Sequence, residues 1–156
     1  MQINKVWIFT LAFVLVLTFL IGYVFSELGN DELAIKEFSY LEEIHGFRDY
    51  KTREPEFQNY EKINVYYEVA GLEQTDGYVR YENKLVATDP ENKTILNKTS
   101  EEELGVSQID SPVIFFENTI EPPEEGFEEG TYTIEIFITD TLTNEEVEHR
   151  EKFSVK

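Results

Sequence analysis

Thr131 to Thr139 reads TYTIEIFIT, and its alternation is strict. Tyr132, Ile134, Ile136 and Ile138 fall on one face of an extended chain, and Thr133, Glu135, Phe137 and Thr139 on the other. A period of two in β-branched and aromatic residues predicts a strand with one buried face. Asp140 to Glu145 (DTLTNE) follows as a polar turn, and Glu146 to Val155 alternates again through His149, Glu151, Phe153 and Val155. The last two strands therefore make a hairpin.

Upstream the same signal recurs. Lys62 to Ala70 (KINVYYEVA) alternates Ile63, Val65, Tyr67 and Val69 with Asn64, Tyr66 and Glu68, and Gly71 ends the run. Thr75-Asp76-Gly77 is an Asp-Gly turn leading into a strand over Tyr78 to Thr88. Ser111 to Ile120 is a further strand, and Glu121 to Gly130 (EPPEEGFEEG) breaks it with prolines and glycines. Leu33 to Leu41 (LAIKEFSYL) reads as a strand with Leu33, Ile35 and Leu41 on one face and Phe38 and Tyr40 on the other. Glu42 to Tyr60 predicts a loop or short edge strand whose Phe47, Tyr50, Phe57 and Tyr60 pack on the core, and Asp89 to Gly105 a long polar excursion anchored by Ile95, Leu96 and Leu104.

About seven short strands with no helix among them point to an all-β domain, one antiparallel sandwich of immunoglobulin or fibronectin type III character. Gly130-Thr131-Tyr132 stands where such folds place a tyrosine that bonds back across a corner. A plain core aromatic is the competing reading of Tyr132.

The chain begins differently. Val6 to Phe25 (VWIFTLAFVLVLTFLIGYVF) carries no charge, and its roughly twenty residues match the apolar thickness of a bilayer. It predicts a single transmembrane helix. Lys5 and the α-amino group precede it, while Glu27, Asp31 and Glu32, which follow, are acidic and count for little. Retained positive charge puts the amino terminus in the cytoplasm and the rest outside. The expected organisation is a tail over 1–5, an anchor over 6–25, a linker over 26–32 and an extracytoplasmic sandwich over 33–156. A cleaved signal peptide ending near Val24-Phe25-Ser26 is the alternative, with the same location for the domain.

Of the 156 residues, 32 are Asp or Glu and 13 Lys or Arg, a net charge of −19. Such a surface repels nucleic-acid phosphates and anionic headgroups. No cysteine is present, which removes disulfides, thiolate nucleophiles and cysteine-based zinc sites together.

The frame Gly46-Phe47-x-x-Tyr50-x-x-Arg53-Glu54, then 57–69, then Gly130-x-Tyr132-x-Ile134 through Asp140 and Phe153-x-Val155, resembles β-sandwich domains of prokaryotic membrane-anchored and secreted surface proteins. The resemblance implies an immunoglobulin-like fold in the cell envelope. A more distant likeness is to archaeal flagellar accessory proteins, which also join one amino-terminal span to such a domain.

Chemistry is thinly marked. There is no nucleophile elbow and no phosphate-cradling glycine loop, so no catalytic residue and no cofactor is expected. His45 reads as exposed and His149 as a partly buried structural residue. Glu121, Glu124, Glu125, Glu128 and Glu129 crowd one loop and are the weak metal candidates, because calcium loops favour Asp and Asn at alternate positions. Asn92-Lys93-Thr94 and Asn97-Lys98-Thr99 make Asn92 and Asn97 glycosylation candidates. Arg48, Arg53 and Arg80 are scarce cations expected to pair with neighbouring Glu on the surface, and Arg53, beside Glu54, is the candidate for a buried pair. The function expected is protein interaction in the envelope, with another protein or a second copy, while anchored in the membrane by 6–25. Cation or glycan binding, or service as an accessory subunit of an envelope or motility assembly, are the alternatives. A carboxylate-pair hydrolase would need a cleft with one strongly raised acid.

Overall fold

The computed structural model describes residues 32–46, 48–106 and 112–156. The expected tail, anchor and all of the linker before Glu32 lie outside them. Ten strands follow one another: β1 (Ala34–Gly46), β2 (Asp49–Thr52), β3 (Glu56–Phe57), β4 (Ile63–Ala70), β5 (Gln74–Thr75), β6 (Tyr78–Thr88), β7 (Thr94–Gly105), β8 (Ile114–Ile120), β9 (Gly130–Asp140) and β10 (Glu146–Val155). Every regular element among the described residues is a strand, and three of the ten are four residues or shorter.

They form two sheets, β2-β1-β4-β8 and β3-β10-β9-β6, the second extended by β5 and β7, which both pair with β6. All ladders are antiparallel except the short β3–β10 pair. The order β1-β4-β8 against β10-β9-β6-β7 is immunoglobulin-type wiring, strands A-B-E against G-F-C-C′. Strand D has no counterpart among the described residues.

Alternation builds the core. The inward residues of β9 (Tyr132, Ile134, Ile136, Ile138) and of β4 (Ile63, Val65, Tyr67, Val69) are all buried and belong to one hydrophobic cluster fed by both sheets. Each fully buried Ile or Val contributes about 1.5–3 kcal/mol relative to exposure. At the β3–β10 end, Tyr40, Phe57, Phe127, Tyr132 and Phe153 meet edge to face or stacked, their centroids between 4.9 and 6.4 Å apart. The Asp76-Gly77 turn has both residues at positive φ, 55° and 81°, the type I′ geometry that matches strand twist.

Three expectations change. First, β1 runs on through 42–46, at the start of the stretch expected to be a loop or short edge strand, before folding back on β2, which is such a short edge strand. Second, a bulge between Ile35 and Glu37 switches the phase of β1, so that Leu33, Phe38 and Tyr40 all serve the core, not opposite faces. Third, the polar excursion over 89–105 is a turn followed by β7, which follows β6 along its whole length. β7 lacks alternation because it lies at an edge and is mostly exposed on both faces.

Candidate functional site

The acidic residues of the 121–129 connection point into solvent. Glu121 pairs with Lys62 at 2.8 Å, and Phe127, buried beneath, anchors the segment by donating its N–H to the Asn59 carbonyl at 2.7 Å. No group of three or more Asp, Glu or His among the described residues is placed to hold a metal ion. Asn92 sits at φ 63° in the β6–β7 turn, and Asn97 lies exposed on β7. The Tyr132 hydroxyl donates to the Glu128 carbonyl oxygen, four residues upstream, at 3.0 Å. His45 is exposed beside Glu43. His149 is half-buried on β10, its Nε2 3.2 Å from Glu151 Oε1 and its ring 5.4 Å from that of Phe38.

Arg53, the candidate for a buried pair, bonds to Glu61 and to the Glu56 carbonyl at 2.6 Å, and stacks over the Phe57 ring at 4.2 Å. Both partners keep a quarter to a third of their side chains exposed, 25% and 34%. That guanidinium, with the Gln58 N–H, holds the Glu61 carboxyl below its ordinary range. The buried carboxylate paired with an arginine is Glu68. It lies on the outer face of β4, covered by Arg48, whose Nε and Nη2 donate to its two oxygens at 2.8 and 2.6 Å, and by the Tyr66 hydroxyl at 2.6 Å. Tyr66 and Glu68, two residues apart, share that face, and the ring of Tyr50 sits 4.5 Å from that of Tyr66.

A wider, shallower pocket of about 430 Å³ lies over Glu54 to Glu56 and Lys152 to Ser154, and a narrower cleft marks the open side of the sandwich. Among the described residues β7 pairs only with β6, and β8 only with β4. Between these two edges lies a cleft of about 110 Å³, with Asn83 of β6, Lys98, Ser100 and Glu102 of β7, and Phe116 and Asn118 of β8 in its walls. Three of its lining residues, Asn83, Asn118 and Glu102, hydrogen-bond to buried tyrosines behind the walls. Tyr67 donates to Asn83 Oδ1 at 2.9 Å and accepts from Asn118 Nδ2 at 3.3 Å, and Tyr81 donates to Glu102 at 3.0 Å. Phe116 stacks on Tyr67 at 5.0 Å and meets Tyr81 edge-on at 5.3 Å. Burial pushes the Tyr67 hydroxyl up to about 12, against a smaller lowering by Asn83 and Asn118, and burial followed by Glu102 raises that of Tyr81. Both phenols therefore stay protonated donors across the neutral range.

These groups can hydrogen-bond and pair charges. They include no nucleophile with an adjacent base. The two tyrosines were legible as strand residues, but the cleft was not, because it depends on which strands end each sheet.

No protein-family model matches the chain, and no curated protein matches it. Among solved structures, the C-terminal domain of wzt is similar at 10% identity and a TM-score of 0.47, over 82% of this chain and 76% of that one. A β-glucuronidase 2 of Bacteroides uniformis, bound covalently to cyclophellitol-6-carboxylate aziridine, is similar at 12% identity and a TM-score of 0.41 over 81% of this chain, which spans 13% of the enzyme. The CARDB domain of the PF1109 protein from Pyrococcus furiosus, in complex with di-metal ions, is similar at 17% identity and a TM-score of 0.37, over 83% of this chain and 96% of that one.

Proposed function

We propose that this chain is a membrane-tethered, extracytoplasmic module that binds another envelope protein and catalyses no reaction. The observation that carries the reading is β7: twelve residues of strand with one ladder partner, beside an open polar cleft. An unpaired strand edge offers a row of backbone donors and acceptors, and adding a strand to it is a common mode of protein recognition. The tether is the apolar run over 6–25, whose length and positive amino-side flank support this location. With a linker of only about seven residues, roughly 25 Å at full extension, the partner is held close to the bilayer.

The test is photo-cross-linking in intact cells from positions 97 and 99 on β7, followed by capture on a carboxyl-terminal tag and protease shaving of the same cells. A single cross-linked envelope protein, with the domain lost on shaving, is the expected result. A domain that is cleaved by protease but cross-links to nothing from any face overturns the interaction reading. Protection that persists until the membrane is permeabilised overturns the location.

A further inference from the structure

We infer that the β7 edge takes a cationic extended segment, one with Lys or Arg at alternate positions, as an added antiparallel or parallel strand. The inference rests on the interaction reading above and names the partner's chemistry.

Across the β6–β7 ladder, Arg80 stands opposite Glu103 and the two form an ion pair. Two residues further along β6 and on the same face, Glu82 stands directly opposite Glu101. No cation pairs with either carboxylate among the described residues. Like charges directly opposed across a ladder are destabilising, so this pair costs the isolated domain stability. Glu101 is the one beside the open edge. A strand added to β7 would place a side chain opposite Glu101 at about 5 Å, and a Lys or Arg there relieves the repulsion.

The other face sets the alternate positions. Glu102, Ser100 and Lys98 turn toward the cleft, where Tyr81 already occupies an oxygen of Glu102. A cleft of about 110 Å³ admits small or polar side chains. The segment that fits alternates a cation outward with a small polar residue inward. A second copy of this chain fits poorly. At −19 it carries the same sign, so net charge opposes its approach. The net negative charge and the acidic run Glu101 to Glu103 thus disfavour self-pairing and favour a cationic strand.

The probe is a fluorescent (Lys-Thr)4 peptide titrated by anisotropy against the full chain in nanodiscs of neutral lipid. Its controls are (Glu-Thr)4 and a (Lys-Thr)4 peptide N-methylated on every residue, which keeps the charge but cannot complete a ladder. The expected result is binding by (Lys-Thr)4 that weakens with salt, at least tenfold weaker for the N-methylated peptide and none for (Glu-Thr)4. In the Glu101→Lys variant, (Lys-Thr)4 binds at least tenfold more weakly, while the thermal midpoint stays equal or rises because Glu82 gains a partner. Equal binding of the methylated peptide shows adsorption to an acidic surface and overturns the inference. So do absent (Lys-Thr)4 binding, unchanged affinity in the variant, and Asn97→Cys chains that cross-link to each other through their edges. None of these outcomes disturbs the interaction reading, which fails only if cells yield no cross-linked partner from any face.

Discussion

Arg48 closes on both oxygens of Glu68, a carboxylate 1% exposed and twenty residues further along the chain, while the arginine side chain itself remains 60% exposed. The pair, with the Tyr66 hydroxyl, ties the β1–β2 hairpin to the outer face of β4. Arg48 is the largest cause of a Glu68 carboxyl held below its ordinary 4.5, with Tyr66 helping and burial opposing. A carboxyl lowered in the folded state adds stability that is complete above the unfolded value and is lost as pH falls through the folded one. Glu68→Gln should therefore cost about 2 kcal/mol at neutral pH. The gap between variant and wild type should narrow below 4.5 and close once Glu68 is protonated in both states. Urea unfolding at descending pH measures it, and a gap independent of pH would show that the charge of Glu68 does not matter.

Asp140, 1% exposed at the end of β9, accepts three backbone N–H groups. Leu142 and Thr143 donate to Oδ1 at 2.8 and 3.3 Å, which sets the turn into β10, and Glu73 donates to Oδ2 at 2.6 Å. Asp140→Asn keeps one acceptor and turns an amide N–H₂ toward the Glu73 or Leu142 donor. Losing an ionic acceptor and leaving a donor unpaired should cost about 2–3 kcal/mol, visible as a lowered urea midpoint with unchanged slope. Hydrogen exchange should show the loss first at the Glu73 or Leu142 amide. A stability within error of wild type would mean that water replaces the carboxylate at no cost.

How much of this could be read in the chain follows from where each residue sits. β9 was legible because its inward face is buried and its outward face is not, so alternation is forced. β4 was legible because its inward Ile63, Val65, Tyr67 and Val69 alternate with polar or amphipathic residues even though both of its faces are covered. β7 was not, since Asn97, Lys98, Thr99 and Glu101 to Glu103 are exposed on both faces and nothing imposes a period. The phase of β1 was misread at the bulge between Ile35 and Glu37, which depends on the β4 ladder beside it. Glu68 occupies an outward position in an alternating strand, and alternation alone does not show that this face is covered. Its cover comes from the β1–β2 hairpin, which is local in itself but reaches β4 across twenty residues of chain. The open side between β7 and β8 depends on sheet order, which single-strand patterns do not contain.

The Tyr132 ring stacks on Phe153 at 4.9 Å and meets Phe127 edge-on at 5.5 Å, and its hydroxyl ties the start of β9 to the Glu128 carbonyl. Tyr132→Phe keeps the rings and removes one neutral hydrogen bond near the surface. The expected cost is about 1 kcal/mol. Tyr132→Ala removes the stack as well and should cost about 3–5 kcal/mol. Chemical denaturation of both variants separates the corner bond from the aromatic cluster, and equal losses would show that the ring carries no share of its own.

Gly130 explains why the strand that decides the fold begins with glycine. Its φ of 148° lies in a region that L side chains rarely adopt, and an added Cβ would fall 2.5 Å from Pro90 Cγ and 3.0 Å from Pro90 Cβ. Gly130→Ala therefore carries two penalties, a backbone strain of about 1–3 kcal/mol and a clash with the β6–β7 turn. They can be separated. In a Gly130→Ala background, Pro90→Gly opens space for the methyl and should return the steric part while the backbone part remains, so that the two changes are strongly non-additive. In the glycine background Pro90→Gly should cost about 1 kcal/mol or less, through the entropy of the unfolded chain. Additive losses in that double-mutant cycle would show that Pro90 does not press on this site, and that the glycine is required by its backbone angle alone.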